Sequence, residues 1–455
     1  MRRILAGATA LVIAFSSGPG FAQEKLAVWW VKGFYKAEDE ALFAAIGKFE
    51  ARTGVKVDLS QYAAEDMIPK TVAALESGSP PDIAYSDTYD VEVAAKWAFD
   101  GRLEDISDVI EPMKDRFLPA TIQSAYLYDG KARKKAFYGF VLKQQMLHVA
   151  YWKDMLAVAG FKENDIPGTW KEYWSFWCDK VQPAYRKATS SVVHGIARPM
   201  GVGSTDSFRS FMSWVDAYDV KLVDGSGKLL VDDPKVRDGL ISALRDYTDV
   251  YAKGCSPPSS TGWKDGGSGA AFNDRTTILT HDYSIGIAAK WLDDANNPQL
   301  TPARRAAGRK AYDELIATAG LPSKPDGTPM VYRTIVKVGV IFRESKNKGR
   351  AREFLRFLLE EENLRPYVEA GLGRGFPVTR AGRESPFWQA DKHRRAVYAQ
   401  FKTSPQPSEF AKNWKFARLD AENVWAKAMN RVVTDKVSVE KAVDELIARI
   451  KQVVQ

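Results

Sequence analysis

The chain has 455 residues, of which 45% are hydrophobic, and this is enough apolar material for two cores. Its 65 Lys and Arg residues outnumber its 57 Asp and Glu residues, but the two signs are interleaved and no dense basic stripe occurs. The charge pattern therefore argues against nucleic acid as a partner.

The first 22 residues have the pattern of a secretory signal peptide. Arg2 and Arg3 precede an apolar run over residues 4–15, and small residues lead to Ala22, after which we expect cleavage. The run is shorter than the roughly 20 residues that span a bilayer, and no nearby cysteine offers a lipid attachment point. We expect a soluble periplasmic protein, exported by either the Sec or the twin-arginine route.

The first third of the chain alternates predicted strands and helices. Strands are expected at residues 26–31, 55–59 and 82–85, with a helix after each. This order builds a parallel sheet with right-handed crossovers, and ligands on such sheets bind beyond the carboxyl ends of the strands. The candidate binding residues at those ends are Trp30, Lys32, Tyr62, Ser86 and Asp87.

The stretch from Tyr138 to Lys153 is the one around which the rest of the chain is predicted to be organised. Gly139 indicates a bend, the apolar run after it a strand, and Trp152 the start of a helix. A polar Lys-Gln-Gln interruption lies inside this strand, and a buried amide without a partner costs about 1 to 3 kcal/mol. Gln145 is therefore a ligand candidate, and the alternative is that the glutamines bond to neighbouring backbone.

A second unit begins with Thr169 and Glu172, which form a capping-box pattern. The aromatic residues that follow at helical spacing are assigned to the core and given no function; they are Trp170, Tyr173, Trp174 and Trp177. The only two cysteines, Cys178 and Cys255, could form a disulfide in an oxidising compartment. The sequence does not determine whether they pair.

Residues 255–274 are rich in Gly, Pro and Ser and are predicted to form a loop. Trp263 is expected to be exposed in it, because flexible loops do not bury a large indole without help. An exposed tryptophan is either an accidental apolar spot or a binding platform, and we favour the platform.

The remainder combines strands with longer helices. A strand over residues 276–280 ends in His281, Asp282 and Tyr283, and a long strand is expected over residues 331–342. Helices are predicted at residues 302–318, 351–360, 409–429 and 439–453. Long strands at two internal junctions indicate that the chain passes between two lobes more than once, which makes a cleft with hinges.

A series of short motifs, taken in order and spacing, resembles the bacterial extracellular solute-binding proteins of family one, the sugar-binding components of ABC importers. The motifs are Thr53-Gly54-Val55-Lys56-Val57, Gly78-Ser79-Pro80-Pro81-Asp82-Ile83, Tyr138-Gly139 with Tyr151-Trp152-Lys153-Asp154, Thr169-Trp170, Ala270-Ala271-Phe272-Asn273, Ser345-Lys346-Asn347-Lys348 and Gly375-Phe376-Pro377-Val378. The resemblance covers the whole mature chain. After the Phe-Asn pair the family often has Gly-Lys, Ala-Met, a Gly and a Trp, which residues 274–284 do not match. Because this is a usual ligand-binding loop, the resemblance leaves the ligand open.

The resemblance implies an α/β, two-lobed periplasmic-binding-protein fold, with a central sheet flanked by helices in each lobe and a hinged cleft between the lobes. The lobes would be residues 23–139 with 283–332 and residues 140–282 with 333–455. The positions that contact ligand in the family correspond to Trp30, Lys32, Ser86, Asp87, Gln145, Trp263, Asp282, Tyr283 and Arg374. Aromatic faces combined with Asp, Gln and Arg suit a small carbohydrate or polyol. The resemblance further implies a monomer that works with inner-membrane ABC permease subunits, without a cofactor, a metal or catalysis.

Three other classes of function compete with this interpretation. A secreted glycosidase or lyase would need two carboxylates across a cleft, and Asp87 and Asp282 are the candidate pair. A periplasmic adaptor would bind only protein, and a related binding protein would take a solute other than a sugar. No G-x-S-x-G, Walker or HExxH motif occurs, the four histidines are scattered, and no two tyrosines are adjacent as in iron-binding relatives.

Overall fold

The computed structural model describes residues 25–402 and 406–454, so the predicted signal peptide lies outside the described residues. The described strands are β1 (Lys25–Val31), β2 (Lys56–Tyr62), β3 (Ile83–Tyr85), β4 (Tyr126–Asp129), β5 (Lys134–Phe137), β6 (Phe140–Gln145), β7 (His148–Trp152), β8 (His194–Ala197), β9 (Thr277–Asp282), β10 (Ile316–Ala319), β11 (Ile335–Ile341) and β12 (Phe376–Pro377). They form a six-stranded sheet in the order β12-β6-β11-β3-β1-β2, a four-stranded sheet in the order β10-β7-β9-β8, and a β4-β5 hairpin.

Helices surround the strands. They are α1 (Lys36–Thr53), α2 (Ala64–Glu76), α3 (Tyr89–Glu92), α4 (Ala94–Phe99), α5 (Ser107–Ile110), α6 (Pro119–Ile122), α7 (Lys153–Val158), α8 (Trp170–Ser175), α9 (Gln182–Thr189), α10 (Thr205–Ala217), α11 (Pro234–Ala252), α12 (Gly267–Asn273), α13 (Gly286–Asn296), α14 (Pro302–Lys310), α15 (Lys348–Leu358), α16 (Glu361–Ala370), α17 (Arg380–Arg383), α18 (Pro386–Gln389), α19 (Lys392–Tyr398), α20 (Phe416–Glu422), α21 (Val424–Val433) and α22 (Val439–Val454). The α/β class and the two-lobed architecture predicted from the sequence are confirmed.

The six-stranded sheet contains the parallel unit predicted for the first third of the chain. β1 pairs in parallel with β2 on one side and with β3 on the other. The apolar face of α1 is buried, and the helix ends at Gly54, whose positive φ of 73° suits a residue without a side chain. The carboxyl ends of β1, β2 and β3 therefore point to one edge of the sheet, as expected.

The central stretch after Gly139 forms two strands, which lie in different sheets, where a single strand was expected before the helix. Phe140–Gln145 pairs with β11 in the six-stranded sheet, and His148–Trp152 pairs with β9 in the four-stranded sheet. The helix starts at Lys153, immediately after the second strand. Only two residues, Met146 and Leu147, separate the sheets at this crossing, and both are buried.

The lobe boundaries expected from the sequence need correction for four strands. Residues 140–145, 335–341 and 376–377 were expected in the C-terminal lobe, but all three strands belong to the sheet of β1. Residues 316–319 were expected in the N-terminal lobe as the end of a helix, but they form β10, which pairs with β7. Each strand joins the sheet that covers its apolar side chains. The chain crosses to the four-stranded sheet after β6 and returns to the six-stranded sheet between β10 and β11.

The aromatic helix of the second unit is core, as predicted. Trp170, Trp174 and Trp177 are buried, and Tyr173 lies among them. α8 begins at Trp170, directly after Thr169. The Thr169 hydroxyl donates to the Glu172 carboxylate at 2.5 Å and makes no hydrogen bond to the backbone of the first turn. Cys178 and Cys255 form a disulfide, which the sequence had left open.

Candidate functional site

A cavity of about 730 Å³ lies where strand ends of the two large sheets meet. β3 and β6 lead to Asp87 and Gln145 at its wall, and β9 of the other sheet ends there at Asp282. Ligands of open α/β sheets bind at such strand ends, and small-molecule pockets commonly measure about 300 to 1,000 Å³. The cavity is therefore the candidate binding site.

Half of the predicted binding residues line this cavity, namely Asp87, Gln145, Asp282, Tyr283 and Arg374. The Gln145 amide donates to the carbonyl of Arg374 at 3.0 Å, so its amide group is satisfied by backbone while its side chain still lines the cavity. The Tyr283 hydroxyl donates to the carbonyl of Arg209 at 2.7 Å, which fixes its ring at the wall. These hydrogen bonds hold Gln145 and Tyr283 in place at the wall of the cavity before a ligand binds.

The structure places the other predicted residues outside the cavity lining; they are Trp30, Lys32, Tyr62, Ser86 and Trp263. Trp30 is buried, its Nε1 donates to the Tyr367 hydroxyl at 3.0 Å, and its ring lies 4.6 Å from that of Tyr85. The indole is part of the core because β1 is an interior strand covered by helices. Phe34, in the loop after β1, reaches the cavity instead.

Trp263 is half-buried against its own loop rather than exposed as a platform. Its Nε1 donates to the Ser259 hydroxyl at 3.2 Å, and it packs so closely on Gly267 that an added Cβ there would lie 2.7 Å from the Trp263 Cβ. It lines a different hollow together with Val192. The expected role of Trp263 in the cleft is thus not supported by its position.

Phe34 is the aromatic residue at the cavity that the sequence reasoning missed. Its side chain is 62% exposed, and the Arg374 guanidinium carbon lies 4.9 Å from the ring centroid. The Phe34 backbone N–H donates to the Glu38 carboxylate at 2.9 Å, which holds the loop between β1 and α1. The available signal was an aromatic residue between the end of β1 and the start of α1. The sequence prediction instead selected Trp30, which lies inside β1.

A network of buried charges supports this wall of the cavity. Lys143 Nζ lies 3.1 Å from a Glu38 oxygen and 3.4 Å from Asp87 Oδ1, and Arg374 Nη1 lies 2.7 Å from Asp87 Oδ2. The Tyr85 hydroxyl donates to Asp87 Oδ1 at 2.7 Å. Burial alone would raise the pKa of Asp87, but the charges of Lys143 and Arg374 hold it well below its usual range. Asp87 is therefore a fixed anion that orients Arg374 towards the cavity.

The opposite wall carries three carboxylates, Asp206, Asp265 and Asp282. The Gly266 N–H donates to Asp206 Oδ2 at 2.8 Å, and the Ser204 hydroxyl donates to Asp265 Oδ1 at 2.7 Å. Burial raises the pKa of Asp206 to about 7, and the charges of Asp265 and Asp282 act in the same direction. These carboxylates offer hydrogen-bond acceptors to the hydroxyl groups of a ligand.

The two candidate catalytic carboxylates do not have matched roles. Both oxygens of Asp87 are engaged by the protein, one by Arg374 and one by the Tyr85 hydroxyl. Asp282 Oδ1 accepts the Ser284 N–H at 2.8 Å, and burial raises the pKa of Asp282. An anion locked in ion pairs is poorly suited to attack a sugar or to activate water.

Among the described residues, no group of three or more His, Cys, Asp or Glu side chains is arranged to hold a metal ion. Within the same residues, no helix is both long enough and apolar enough to cross a membrane.

Comparison with protein-family models gives a match over residues 44–396 to the bacterial extracellular solute-binding proteins. Among curated proteins, the arabinooligosaccharide-binding protein of Bacillus subtilis (strain 168) is 25% identical over 259 residues, which are 55% of this chain. The match covers 53% of that protein, so the chain spans about half the length of the curated relative it matches.

Solved structures share the fold over nearly the whole chain. An ABC transporter solute-binding protein from Thermotoga lettingae TMO, bound with α-D-tagatose, is 19% identical with a TM-score of 0.72 and covers 95% of this chain and 100% of its own. A sugar transporter from Arthrobacter chlorophenolicus A6, with bound laminaribiose, is 15% identical with a TM-score of 0.73 at the same coverage. These likenesses concern the fold.

Proposed function

The chain belongs to the family of bacterial extracellular solute-binding proteins, and on this basis we propose that it captures a small carbohydrate or polyol in the cavity between its two sheets. The observation that carries the proposal is the exposed ring of Phe34 on one wall facing a cavity whose other wall presents carboxylates. An aromatic face packs on the apolar C–H face of a sugar, while carboxylates and Arg374 bond to its hydroxyls.

The names of the relatives are consistent with this ligand class. One relative is named for arabino-oligosaccharides, and two structural neighbours hold tagatose and laminaribiose. The cavity lining combines the carboxylates Asp206, Asp265 and Asp282 with cations that include Arg209 and Arg374, so it offers both acceptors and donors to the hydroxyl groups of a neutral sugar.

The biological role proposed is delivery of the captured solute to the permease subunits of an ABC importer. The protein would act in the periplasm, after loss of residues 1–22, as a monomer that catalyses no reaction. Both Asp87 oxygens already accept hydrogen bonds from protein groups. This supports a protein that binds its ligand rather than one that cleaves a glycosidic bond.

Movement of the two lobes is proposed to accompany capture. Each lobe is built on one of the large sheets, and the short crossing at Met146 and Leu147 joins them. A hinge absorbs such a motion in a few backbone torsions. Small-angle scattering should show a smaller radius of gyration with a tight-binding sugar than without it, and an unchanged radius would contradict closure.

Mass spectrometry of the exported, purified protein tests the ligand class. Native spectra should contain a small molecule with the mass of a neutral sugar or polyol, released on denaturation. Incubation with that compound should return it with its mass unchanged. A retained peptide or metal would contradict the proposal, and a product of altered mass would favour the glycosidase or lyase alternative.

A further inference from the structure

Asp90 is a fully buried carboxylate without a hydrogen-bond partner for either oxygen. It lies in α3, directly after β3 of the six-stranded sheet. The nearest cation is Lys337, whose Nζ lies 3.9 Å from Asp90 Oδ2 and donates to the carbonyl of Asp87 at 2.7 Å. Asp90 is therefore only weakly paired in the structure described here.

Arg209 is a buried cation in a similar situation, on an element that packs with the other large sheet. It lies in α10, which packs with β9 of the four-stranded sheet, and its side chain lines the cavity while only 7% of the residue is exposed. Its guanidinium Nε and Nη2 have no hydrogen-bond partner. Asp90 is foremost among the acidic groups whose charge favours the ionised form of Arg209.

Two opposite charges that are buried without mutual contact represent an unfavourable arrangement. A buried charge without a partner is strongly destabilising, whereas a well-formed buried pair is tolerated, and buried polar groups in native proteins nearly always find partners. Burial disfavours ionised Asp90 and raises its pKa, although Lys337 and Arg209 oppose that shift. Because Asp90 and Arg209 belong to helices that pack with different sheets, a relative movement of the sheets would change the gap between them.

We propose that Asp90 and Arg209 form a direct ion pair across the cleft when the two lobes close on a bound solute. The pair would stabilise the closed form specifically, because neither charge has an adequate partner in the present arrangement of the two sheets. This inference rests on the proposed capture of a solute. It adds one contact between the lobes that forms only in the closed state and therefore favours closure once the solute is bound.

The test uses the full mature chain and three probes, laminaribiose, α-D-tagatose and an arabino-oligosaccharide. The variants are Asp90→Asn, Arg209→Gln and the double variant, with Asp58→Asn at an exposed position of β2 as the control. Calorimetry measures the affinity for the probe that the unmodified protein binds most tightly. Thermal unfolding without sugar measures the stability of the sugar-free protein.

The expected result is that each single substitution weakens binding at least about tenfold and that the double variant binds no more weakly than the weaker single variant, because the two groups act as a unit. Without sugar, Asp90→Asn should melt at or above the temperature of the unmodified protein, since it removes a buried charge that lacks hydrogen bonds. The control should match the unmodified protein in both measurements.

Normal affinity of either single variant, or multiplicative effects in the double variant, would overturn the ion pair while leaving sugar capture intact. A lower melting temperature of sugar-free Asp90→Asn would also overturn it, because Asp90 would then already be stabilised by a partner in the sugar-free protein. If the unmodified protein binds none of the three probes or any other sugar, the proposed function fails and the inference falls with it.

Discussion

Phe34 offers the test of the cavity at a single side chain. Replacing Phe34 with Ala removes the exposed ring and leaves the backbone N–H that Glu38 accepts. Loss of an aromatic contact with a sugar should weaken binding roughly tenfold, which corresponds to about 1.4 kcal/mol. Because the ring is mostly exposed in the free protein, the melting temperature without sugar should change little. Calorimetry and thermal unfolding measure the two effects.

Trp263→Ala is the matched control for this substitution. It also removes a large aromatic side chain, but from a hollow outside the cavity. Sugar affinity should stay within about twofold of the unmodified protein. If Trp263→Ala abolishes binding while Phe34→Ala does not, the ligand lies elsewhere and the assignment of the cavity is contradicted.

The predicted site residues that line the cavity share a simple property. Asp282 is the last residue of β9 and Asp87 lies two residues beyond β3, and the ends of these strands meet at one place, so strand prediction was sufficient to locate both residues. Phe34 lies three residues beyond β1, and its direction depends on the Glu38 contacts that hold the loop. Such a contact between a loop and the first turn of a helix is not encoded in hydrophobic periodicity.

The disulfide joins the irregular helical turn after α8 to the end of α11. It closes a loop of 77 residues between Cys178 and Cys255, and the chain-entropy estimate for such a loop is roughly 4 to 5 kcal/mol. The double substitution Cys178→Ser with Cys255→Ser should lower the melting temperature substantially. Binding of sugar at 25 °C should persist, because neither cysteine lines the cavity.

Thermal unfolding with and without a reducing agent measures this contribution. The reductant should lower the melting temperature of the unmodified protein and have no effect on the double variant. Equal melting temperatures for the unmodified protein and the double variant, both measured without reductant, would show that the disulfide does not stabilise the fold.

The junction between α10 and the loop before α12 should respond to pH through Asp206. Burial, followed by the charges of Asp265 and Asp282, raises the pKa of Asp206 to about 7. In the unfolded chain the pKa of Asp is about 3.9, so the folded protein binds this proton more tightly. The resulting stabilisation is complete below about pH 4 and is lost as the pH rises through about 7.

Asp206→Asn should therefore raise the melting temperature relative to the unmodified protein near pH 8 and change it little near pH 4. The amide oxygen can still accept the Gly266 N–H. Asp420, whose pKa burial raises to about 8, contributes equally to both proteins and cancels in the difference. A melting-temperature difference that does not vary with pH would show that Asp206 titrates normally.

Two elements illustrate where periodicity misleads. The pattern over residues 409–429 predicts one helix, but Asn423 adopts a positive φ of 49° and divides it into α20 and α21. The Asn423 amide also donates to the carbonyl of Val202 at 2.8 Å, a contact distant in sequence. Residues 302–318 were predicted as one helix, but pairing with β7 converts the last of them into β10. In both cases tertiary hydrogen bonds decide the local structure.

The arrangement of two lobes was predictable because strands and helices alternate and long strands occur at internal junctions. The positions at which the chain changes lobe were not, since a strand joins the sheet that offers it a partner and covers its faces. Both β6 and β11 are entirely buried within the six-stranded sheet although each contains a lysine, and neither sequence identifies the sheet that the strand joins.

The central claim is that the cavity between the lobes binds a neutral carbohydrate or polyol, and calorimetric titration against a panel of such compounds tests it most directly. The panel is measured with the unmodified protein and with Asp282→Asn, which keeps an oxygen to accept the Ser284 N–H. We predict that at least one compound binds the unmodified protein with a Kd of about 1 μM or tighter, equivalent to about 8 kcal/mol. We further predict that Asp282→Asn weakens that binding several-fold or more. Absence of binding to every neutral sugar and polyol, or equal binding by the variant, would contradict the account.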